Sequence, residues 1–419
     1  MENNLIGSRV KKEYSYNGYP VIYTDKQVLI YDILNGEIIY TKEEDLKKTT
    51  DSLKTLEISS KKWDPSFPKI NFCLTFKCNL ACDYCAVNAN LKEADVSEKM
   101  IDSIFRKYIG RDAQKIKINF TGGEPTICMD KIKYIVDKIR KLNLNPIYII
   151  NTNGMANKAD LDYLVQNKFK FFISIDGLKE IHDNHRKNVS GKGSFDEVIN
   201  NLKYLIDQEA CVVPRATVTK ESLNEMPNLV EFLGGLGIKI FRIANVMECG
   251  RAKRISVTAP DAEEYTNMLK KCRKIAKKYK MSLISSQYIN LFSPSIHACA
   301  TMTGQEIIVA PNGNITTCFA VYRKEDFMGD YFIIGKYDSA KDEIIIDEEK
   351  KKRLQEYNVQ NFEKCEKCFC KYICSAACPL LHALNADTNE YEKISDKYCN
   401  FAKNELRALF CEGKDEILA

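Results

Sequence analysis

A chain of 419 residues with 45% hydrophobic content is long enough for about two or three domains around a large core, which excludes disorder as its main state. The formal net charge of +5 is small and comes from 62 basic and 57 acidic residues spread along the chain, so it does not mark a nucleic-acid binder. No stretch approaches the roughly 18 apolar residues of a membrane span, and the polar start Met1 to Lys12 lacks the apolar core of a signal peptide. A cytoplasmic protein with no membrane partner is expected, and in that compartment 17 cysteines point to metal or catalytic use rather than disulfides.

Residues 1–66 read as a small β-rich extension. Val21 to Tyr23, Gln27 to Ile33 and Glu37 to Tyr40 are strand-like, Asn35-Gly36 suits a hairpin turn, and Thr41-x-x-Glu44 looks like a capping box opening one helix. From residue 67 to 258 apolar runs alternate with helix-period segments. The strands are 69–75, 115–121, 146–152, 169–175, 211–218 and 239–247. Met100, Ile101, Ile104, Phe105 and Tyr108 share one helix face, as do Ile132, Ile135, Val136 and Ile139. Six β-α units with near-continuous hydrophobic strands predict an α/β fold, a parallel sheet curled into a partial (β/α)6 barrel with its site on the loops after the strands. A helical linker over 259–298, a cysteine-rich domain over 299–405 and a tail over 406–419 complete the expected organisation.

The loops after the strands carry the chemistry. After the first strand comes Cys78-x3-Cys82-x2-Cys85. Three thiolates on one loop can hold three irons of a four-iron cluster and leave the fourth open, whereas a zinc knuckle pairs two C-x2-C units and this run supplies an unfinished shell. The second strand ends in Thr121-Gly122-Gly123-Glu124-Pro125, the third in Asn151-Thr152-Asn153-Gly154 and the fourth in Ser174-Ile175-Asp176-Gly177. In isolation the last two are ordinary turns.

Together these segments resemble the radical S-adenosylmethionine enzymes. The resemblance implies an open iron that chelates the methionyl amino and carboxylate groups, and one electron that splits the sulfonium to a 5'-deoxyadenosyl radical. Gly122, Gly123, Glu124 and Pro125 would bind the amino group, the glycines allowing close approach and Glu124 accepting its hydrogen bonds. Sulfatase-maturase-like members carry Ser-x-Asp-Gly followed by His-Asp-x-x-Arg, matched here by Ser174, Asp176, His182, Asp183 and Arg186. By that likeness Ser174 and Asp176 contact the ribose or the carboxylate, and the Tyr84 backbone lies against adenine. Asn153 and Arg186 join the cofactor-binding set. Gly250-Arg251-Ala252 also resembles a family segment. His182 and His185 read as structural, and no catalytic residue beyond the cluster is identified.

Farther on come Cys299 and Cys318, then Cys365-x2-Cys368-x5-Cys374-x3-Cys378, then Cys399. On ligand spacing alone Cys365, Cys368, Cys374 and Cys378 could also make a tetrahedral zinc site. The spacing of these seven cysteines resembles the SPASM auxiliary-cluster domain, which implies two further four-iron clusters and three in all. Cys299, Cys318 and Cys378 would ligate the first. Cys365, Cys368, Cys374 and Cys399 would ligate the second. The first lacks a full set, leaving an iron for a substrate thiolate or for Cys370, Cys411, a carboxylate or water. Of the remaining cysteines, Cys73, Cys128, Cys211, Cys249, Cys272, Cys370 and Cys411, several read as small buried hydrophobes.

The expected function is a maturase that abstracts hydrogen from a ribosomally made precursor peptide and installs a thioether or carbon-carbon cross-link. Its partners would be that peptide and an external donor such as flavodoxin or ferredoxin, and residues 1–66 could be a divergent leader-peptide module. The alternatives are an anaerobic sulfatase maturase forming formylglycine, although Ala86 stands where those enzymes show an aromatic residue, and an iron-sulfur electron carrier.

Overall fold

The computed structural model describes residues 10–24, 27–32, 37–53, 58, 64–89, 95–285, 289–290, 294–386 and 393–412. They fall into two compact units. One holds residues 1–60, 260–299 and 356–419, the other 61–259 and 300–355.

The first unit opens with four antiparallel strands in the order β1 (Val10–Tyr16), β2 (Tyr19–Thr24), β3 (Val28–Asp32) and β4 (Glu37–Thr41). Strand β1 is missing from the sequence expectation because Lys11, Lys12, Glu13 and Ser15 hide its alternation. Its signal is Asn17-Gly18, whose φ angles of 49° and 87° give the positive-φ pair that joins a two-residue hairpin. The turn expected at Asn35-Gly36 lies outside the described residues. The expected capping box does not form. Thr41 is still in β4, its hydroxyl meets that of Thr49 at 3.1 Å, and a 3-10 turn leads into α1 (Leu46–Asp51).

The second unit alternates β5 (Lys69–Cys73), α2 (Glu98–Tyr108), β6 (Lys115–Thr121), α3 (Met129–Lys141), β7 (Asn145–Thr152), α4 (Lys158–Gln166) and β8 (Lys170–Ser174). Then follow α5 (Lys179–His185), α6 (Phe195–Asp207), β9 (Cys211–Val218), α7 (Met226–Gly235), β10 (Ile240–Asn245) and α8 (Arg251–Arg254). Strands β5 to β10 pair in sequence order, all parallel, as the partial-barrel expectation requires. Ser97 caps α2 through the Met100 N–H, and Asn157 caps α4 through that of Asp160. The strands alternate rather than run apolar throughout. Ile116, Ile118, Phe120, Phe171, Ile173 and Phe241 are fully buried, while Lys117, Asn119, Phe172 and Arg242 on the other face are half-buried. Helices cover one face, and the inner face is left polar.

Beyond the barrel strands, α9 (Ala262–Lys278) and β11 (Ser282–Ser285) belong to the first unit. Residues 300–355 return to the second. There β12 (Ile307–Val309) adds to the free side of β5 in parallel, Ile307 opposite Ile70, and β13 (Asn314–Thr316), β14 (Ile333–Asp338) and β15 (Glu343–Ile346) extend the sheet antiparallel. Between them lies α10 (Gly329–Phe332), and α11 (Glu348–Glu356) follows. The first unit closes with α12 (Lys371–Cys374), α13 (Pro379–Ala386) and α14 (Asp396–Glu412). Cys73, Cys128, Cys249, Cys272 and Cys370 are buried, as small apolar side chains are, and Cys211 is exposed.

Helix α14, which carries Cys399, packs on α9. Tyr265 and Phe401 meet edge to face with centroids 5.8 Å apart, and Arg273 donates to Glu405 at 2.9 Å, the two side chains being 10% and 2% exposed. A buried ion pair resists loss of one partner more than loss of both. Arg273→Met therefore lowers the stability of this unit by about 3–5 kcal/mol, and Arg273→Met with Glu405→Leu recovers most of it; urea unfolding of the two variants checks the order.

Candidate cluster and cofactor site

The three-cysteine loop has little regular structure of its own, so its shape comes from what it docks on. The chain leaving α5 runs beside it as a short antiparallel rung. Ala81 N–H donates to Lys187 O at 2.8 Å, Asp83 N–H to His185 O at 3.2 Å and Val189 N–H to Asn79 O at 3.2 Å. His185 adds a side-chain tie, Nδ1 to Asp83 Oδ2 at 2.8 Å, with Nε2 against Thr219 Oγ1 at 3.2 Å. Burial works to lower its pKa, but Asp83, Asp176 and Glu221 outweigh burial and hold it above the usual value. His182 is buried against Ser194 Oγ at 3.1 Å, and burial, with Arg186 behind it, lowers its pKa to about 4. Both histidines are structural, as the sequence suggested, and His185 reaches the cluster loop itself.

Arg186 sits at the centre of a second tie. Its Nε donates to Asp176 Oδ2 at 2.5 Å, its Nη1 lies 3.7 Å from Cys82 Sγ, and its guanidinium stacks over the Tyr84 ring at 5.4 Å. Tyr84 also donates to Asp176 Oδ2, and the Thr217 N–H takes Oδ1 at 2.8 Å. Asp176 is fully buried. Burial raises its pKa, yet Arg186 outweighs that and keeps it below the usual carboxylate range. The oxygens of Asp176 hold Arg186 and Tyr84 beside Cys82. Ser174, half-buried at the end of β8, makes no side-chain hydrogen bond of this kind among the described residues.

The Gly-Gly-Glu-Pro segment docks from the other side. Gly123 N–H donates to Thr75 O at 2.8 Å and Glu124 N–H to Lys77 O at 2.9 Å. A Cβ on Gly122 would lie 2.5 Å from Thr75 O, and one on Gly123 2.1 Å from Lys77 O. The glycines are thus required by the chain's own approach to residues 75–77. Pro125 is buried and opens a 3-10 turn. Glu124 is fully buried. Its Oε1 accepts from Thr126 N and Oγ1 at 3.1 and 2.7 Å and from Thr152 Oγ1 at 2.8 Å, and its Oε2 accepts from Asn153 N at 2.7 Å. Burial raises its pKa against these donors. The carboxylate that the resemblance aims at an ammonium group is engaged in joining two barrel loops. Asn153 carries the link onward, its Nδ2 reaching Asn79 Oδ1 at 2.7 Å and Cys78 Sγ at 3.7 Å.

Two arginines complete the frame. Arg251 donates to Cys82 O and Ala89 O, each at 2.7 Å, and Gly250 has φ 56° where a Cβ would meet Ala86 O at 2.4 Å. Arg323 lies 4.0 Å over the Phe76 ring and donates to Val87 O at 3.3 Å. Sequence reasoning missed Arg323, which no local pattern marks.

The sulfurs fit an iron-sulfur group. Cys78 and Cys85 accept N–H bonds from Leu80 and Ala89 at 3.4 and 3.3 Å, and Asn153 and Arg186 face Cys78 and Cys82. Burial pushes the Cys78 thiol up to about 12 and the Cys82 thiol to about 11, so these donors face sulfurs that iron, not pH, would make anionic. In the first unit Cys365, Cys368, Cys374 and Cys399 line one cavity with Cys370, and Cys378 is not among its walls. The Cys370 hydrogen bond lowers the Cys368 thiol to about 6. Cys378 is half-buried with Cys299 near it, whereas Cys318 belongs to the other unit and takes the Ala320 N–H at 3.5 Å. Among the described residues no three His, Cys, Asp or Glu side chains gather so as to hold a single metal ion.

Glu124→Gln puts an amide N–H2 against donors that need an acceptor, and costs about 1–3 kcal/mol. A lowered melting temperature in the cluster-free protein is the expected result, with weaker cofactor binding following from it. An unchanged melting temperature with weaker binding alone would instead return Glu124 to the ammonium contact.

Three comparisons agree with this geometry. The Radical SAM superfamily model matches residues 72–233. A cysteine-type anaerobic sulfatase-maturating enzyme of Clostridium novyi is 32% identical over 139 residues, 30% of this chain and 37% of that protein, so the chain spans little more than a third of that relative. The antilisterial bacteriocin subtilosin biosynthesis protein AlbA of Bacillus subtilis is 24% identical over 388 residues, 90% of this chain and 80% of that one. Among solved structures, native anSMEcpe with bound AdoMet and Cp18Cys peptide aligns with a TM-score of 0.64 at 18% identity, covering 82% of this chain and 97% of the other. No helix among the described residues is long and apolar enough to cross a membrane. From the matched barrel and the cysteine loop that its strand ends enclose, residues 72–233 of this chain form a domain of the Radical SAM superfamily.

Proposed function

We propose that the chain is a peptide maturase that abstracts hydrogen from a ribosomally made precursor and installs a thioether or carbon-carbon cross-link. The observation that carries this reading is the likeness to AlbA over 388 residues, which spans the barrel and the C-terminal cysteines alike. When bound, the cluster and S-adenosylmethionine supply a 5'-deoxyadenosyl radical. Cys78, Cys82 and Cys85 would hold that cluster. Gly122, Gly123, Glu124, Pro125 and Asn153 shape the wall beside Cys78, and Tyr84, Asp176 and Arg186 fix the wall beside Cys82, with Ser174 at the barrel mouth. This chain's part is to bind, orient and exclude water. Cys365, Cys368, Cys374 and Cys399 would hold one auxiliary cluster and Cys299, Cys318 and Cys378 another, with electrons from an external donor such as flavodoxin or ferredoxin.

Formylglycine formation is the second reading, favoured by the 32% identity to the Clostridium novyi enzyme over 139 residues. An electron carrier would have no use for the Glu124 and Asp176 networks, which shape a pocket rather than a path for charge.

Reconstituted protein should hold roughly twelve irons per chain. Replacing Cys78, Cys82 and Cys85 with Ala should remove about four of them and abolish 5'-deoxyadenosine formation under dithionite. Cleavage retained in that triple variant would refute the assignment. Mass spectrometry of a precursor peptide encoded beside the gene, against a sulfatase-derived cysteine peptide, separates the two maturase readings: loss of two hydrogens with a new cross-link supports the first, an aldehyde the second.

A further inference from the structure

The segment between Cys374 and Cys378 consists of three consecutive residues with positive φ, none of them glycine: Ser375 at 56°, Ala376 at 64° and Ala377 at 56°. A side chain in this region crowds the backbone, and residues other than glycine visit it singly rather than in runs. Such a run persists only where its surroundings over-determine it. Its effect here is a change of direction. Residues four apart on a helix share one face, so continuing α12 past Cys374 would turn both thiols the same way. Instead Cys374 lines the cavity of Cys365, Cys368 and Cys399, while Cys378 is not among its walls and has Cys299 near it.

His382, on α13 and fully buried, closes over this turn. Its Nε2–H donates to Ala376 O at 2.7 Å, and its Nδ1 accepts the Ser395 N–H at 3.0 Å. Ser395 O in turn takes the Cys399 N–H at 3.2 Å, so one imidazole ties the turn to the start of the helix that carries Cys399. Both ring nitrogens are engaged, and removing them leaves a buried carbonyl and a backbone N–H without that partner. Ser375 adds a second tie, its Oγ–H donating to Ser295 O at 2.7 Å, and Ala376 packs in an apolar cluster with Ile296, Val359 and Ile394. We infer that His382 is a positioning residue: it holds residues 375–377 in a left-handed turn that sends Cys374 and Cys378 to two separate metal centres.

This inference rests on the reading of two auxiliary clusters, and iron counting on reconstituted protein tests the two separately. His382→Phe, which keeps a ring and loses both hydrogen bonds, should fall from roughly twelve irons per chain toward the four of the Cys78 loop, with matching loss of the auxiliary-cluster signals in electron paramagnetic resonance. Adding Ala376→Gly and Ala377→Gly to that variant should restore most of the lost iron, because glycine adopts the left-handed conformation without being held there. A histidine needed only as packing could not be replaced by two glycines placed elsewhere. His382→Gln, which can keep one of the two bonds, should show a smaller loss and the same rescue, and it decides the matter if His382→Phe does not fold. Full iron in the histidine variants, or iron lost and not restored by the glycines, overturns the inference. A wild-type protein that takes up only about four irons refutes the auxiliary-cluster reading instead, and thermal melting of that protein then judges the turn. The glycine pair should shift the melting temperature upward more in the wild type, where the turn is held left-handed, than in His382→Phe, where it is free to relax. Equal shifts in the two backgrounds overturn the role of His382.

Discussion

The structure depends on bracing three half-buried cysteines on a loop that cannot hold itself. Residues 74–89 have hardly any regular hydrogen bonding, and a buried thiolate is costly unless donors and cations face it. The barrel answers with donors from several directions. Asn153 comes from the end of β7, Arg186 from the chain after α5, Arg251 from the start of α8, and the backbone of residues 185–189 runs alongside. Two of these groups are themselves held by a buried partner, Glu124 for the Asn153 backbone and Asp176 for Arg186.

That arrangement gives the family-like motifs a shared physical meaning. Glycines at 122 and 123 let one loop touch residues 75–77, Glu124 joins that loop to the next, and Asp176 and Arg186 join the following loop to Cys82 and Tyr84. The motif residues brace the rim on which a cofactor would rest, and several spend their polar atoms on one another. A buried carboxylate with every oxygen engaged is a poor ligand for a mobile group but a good brace, because its donors cannot be satisfied by water once the loops close.

Much of this was legible in the sequence. Helical spacing and apolar runs located six strands and two of the helices between them to within a few residues, since a parallel strand buried by helices leaves a strong signal. The loops after those strands were legible as a set for the same reason: topology brings every strand end to one rim. What could not be read was contact at a distance. The near-continuous apolar reading of the strands hid the polar inner face on which Lys117, Asn119 and Arg215 lie, because alternate residues are masked by bulky neighbours such as Ile116 and Phe120. Strand β1 was obscured by its charges, and Arg323 carries no pattern that links it to Phe76. The protein contacts of Asp176 with Tyr84, Arg186 and Thr217 were not legible either, because spacing says where a side chain starts and packing decides where it ends.

The pairing of β12 with β5 bears on how the molecule is made. The first strand of the barrel finds its outer neighbour only when Ile307 to Val309 have left the ribosome, long after the other barrel strands. Until then β5 presents an unpaired edge next to the cysteine loop, and such edges recruit other chains. A nascent chain halted before residue 300 is therefore exposed to aggregation at the place where iron must later be inserted. Strands β12 to β15, made after the six of the barrel, are what close that edge.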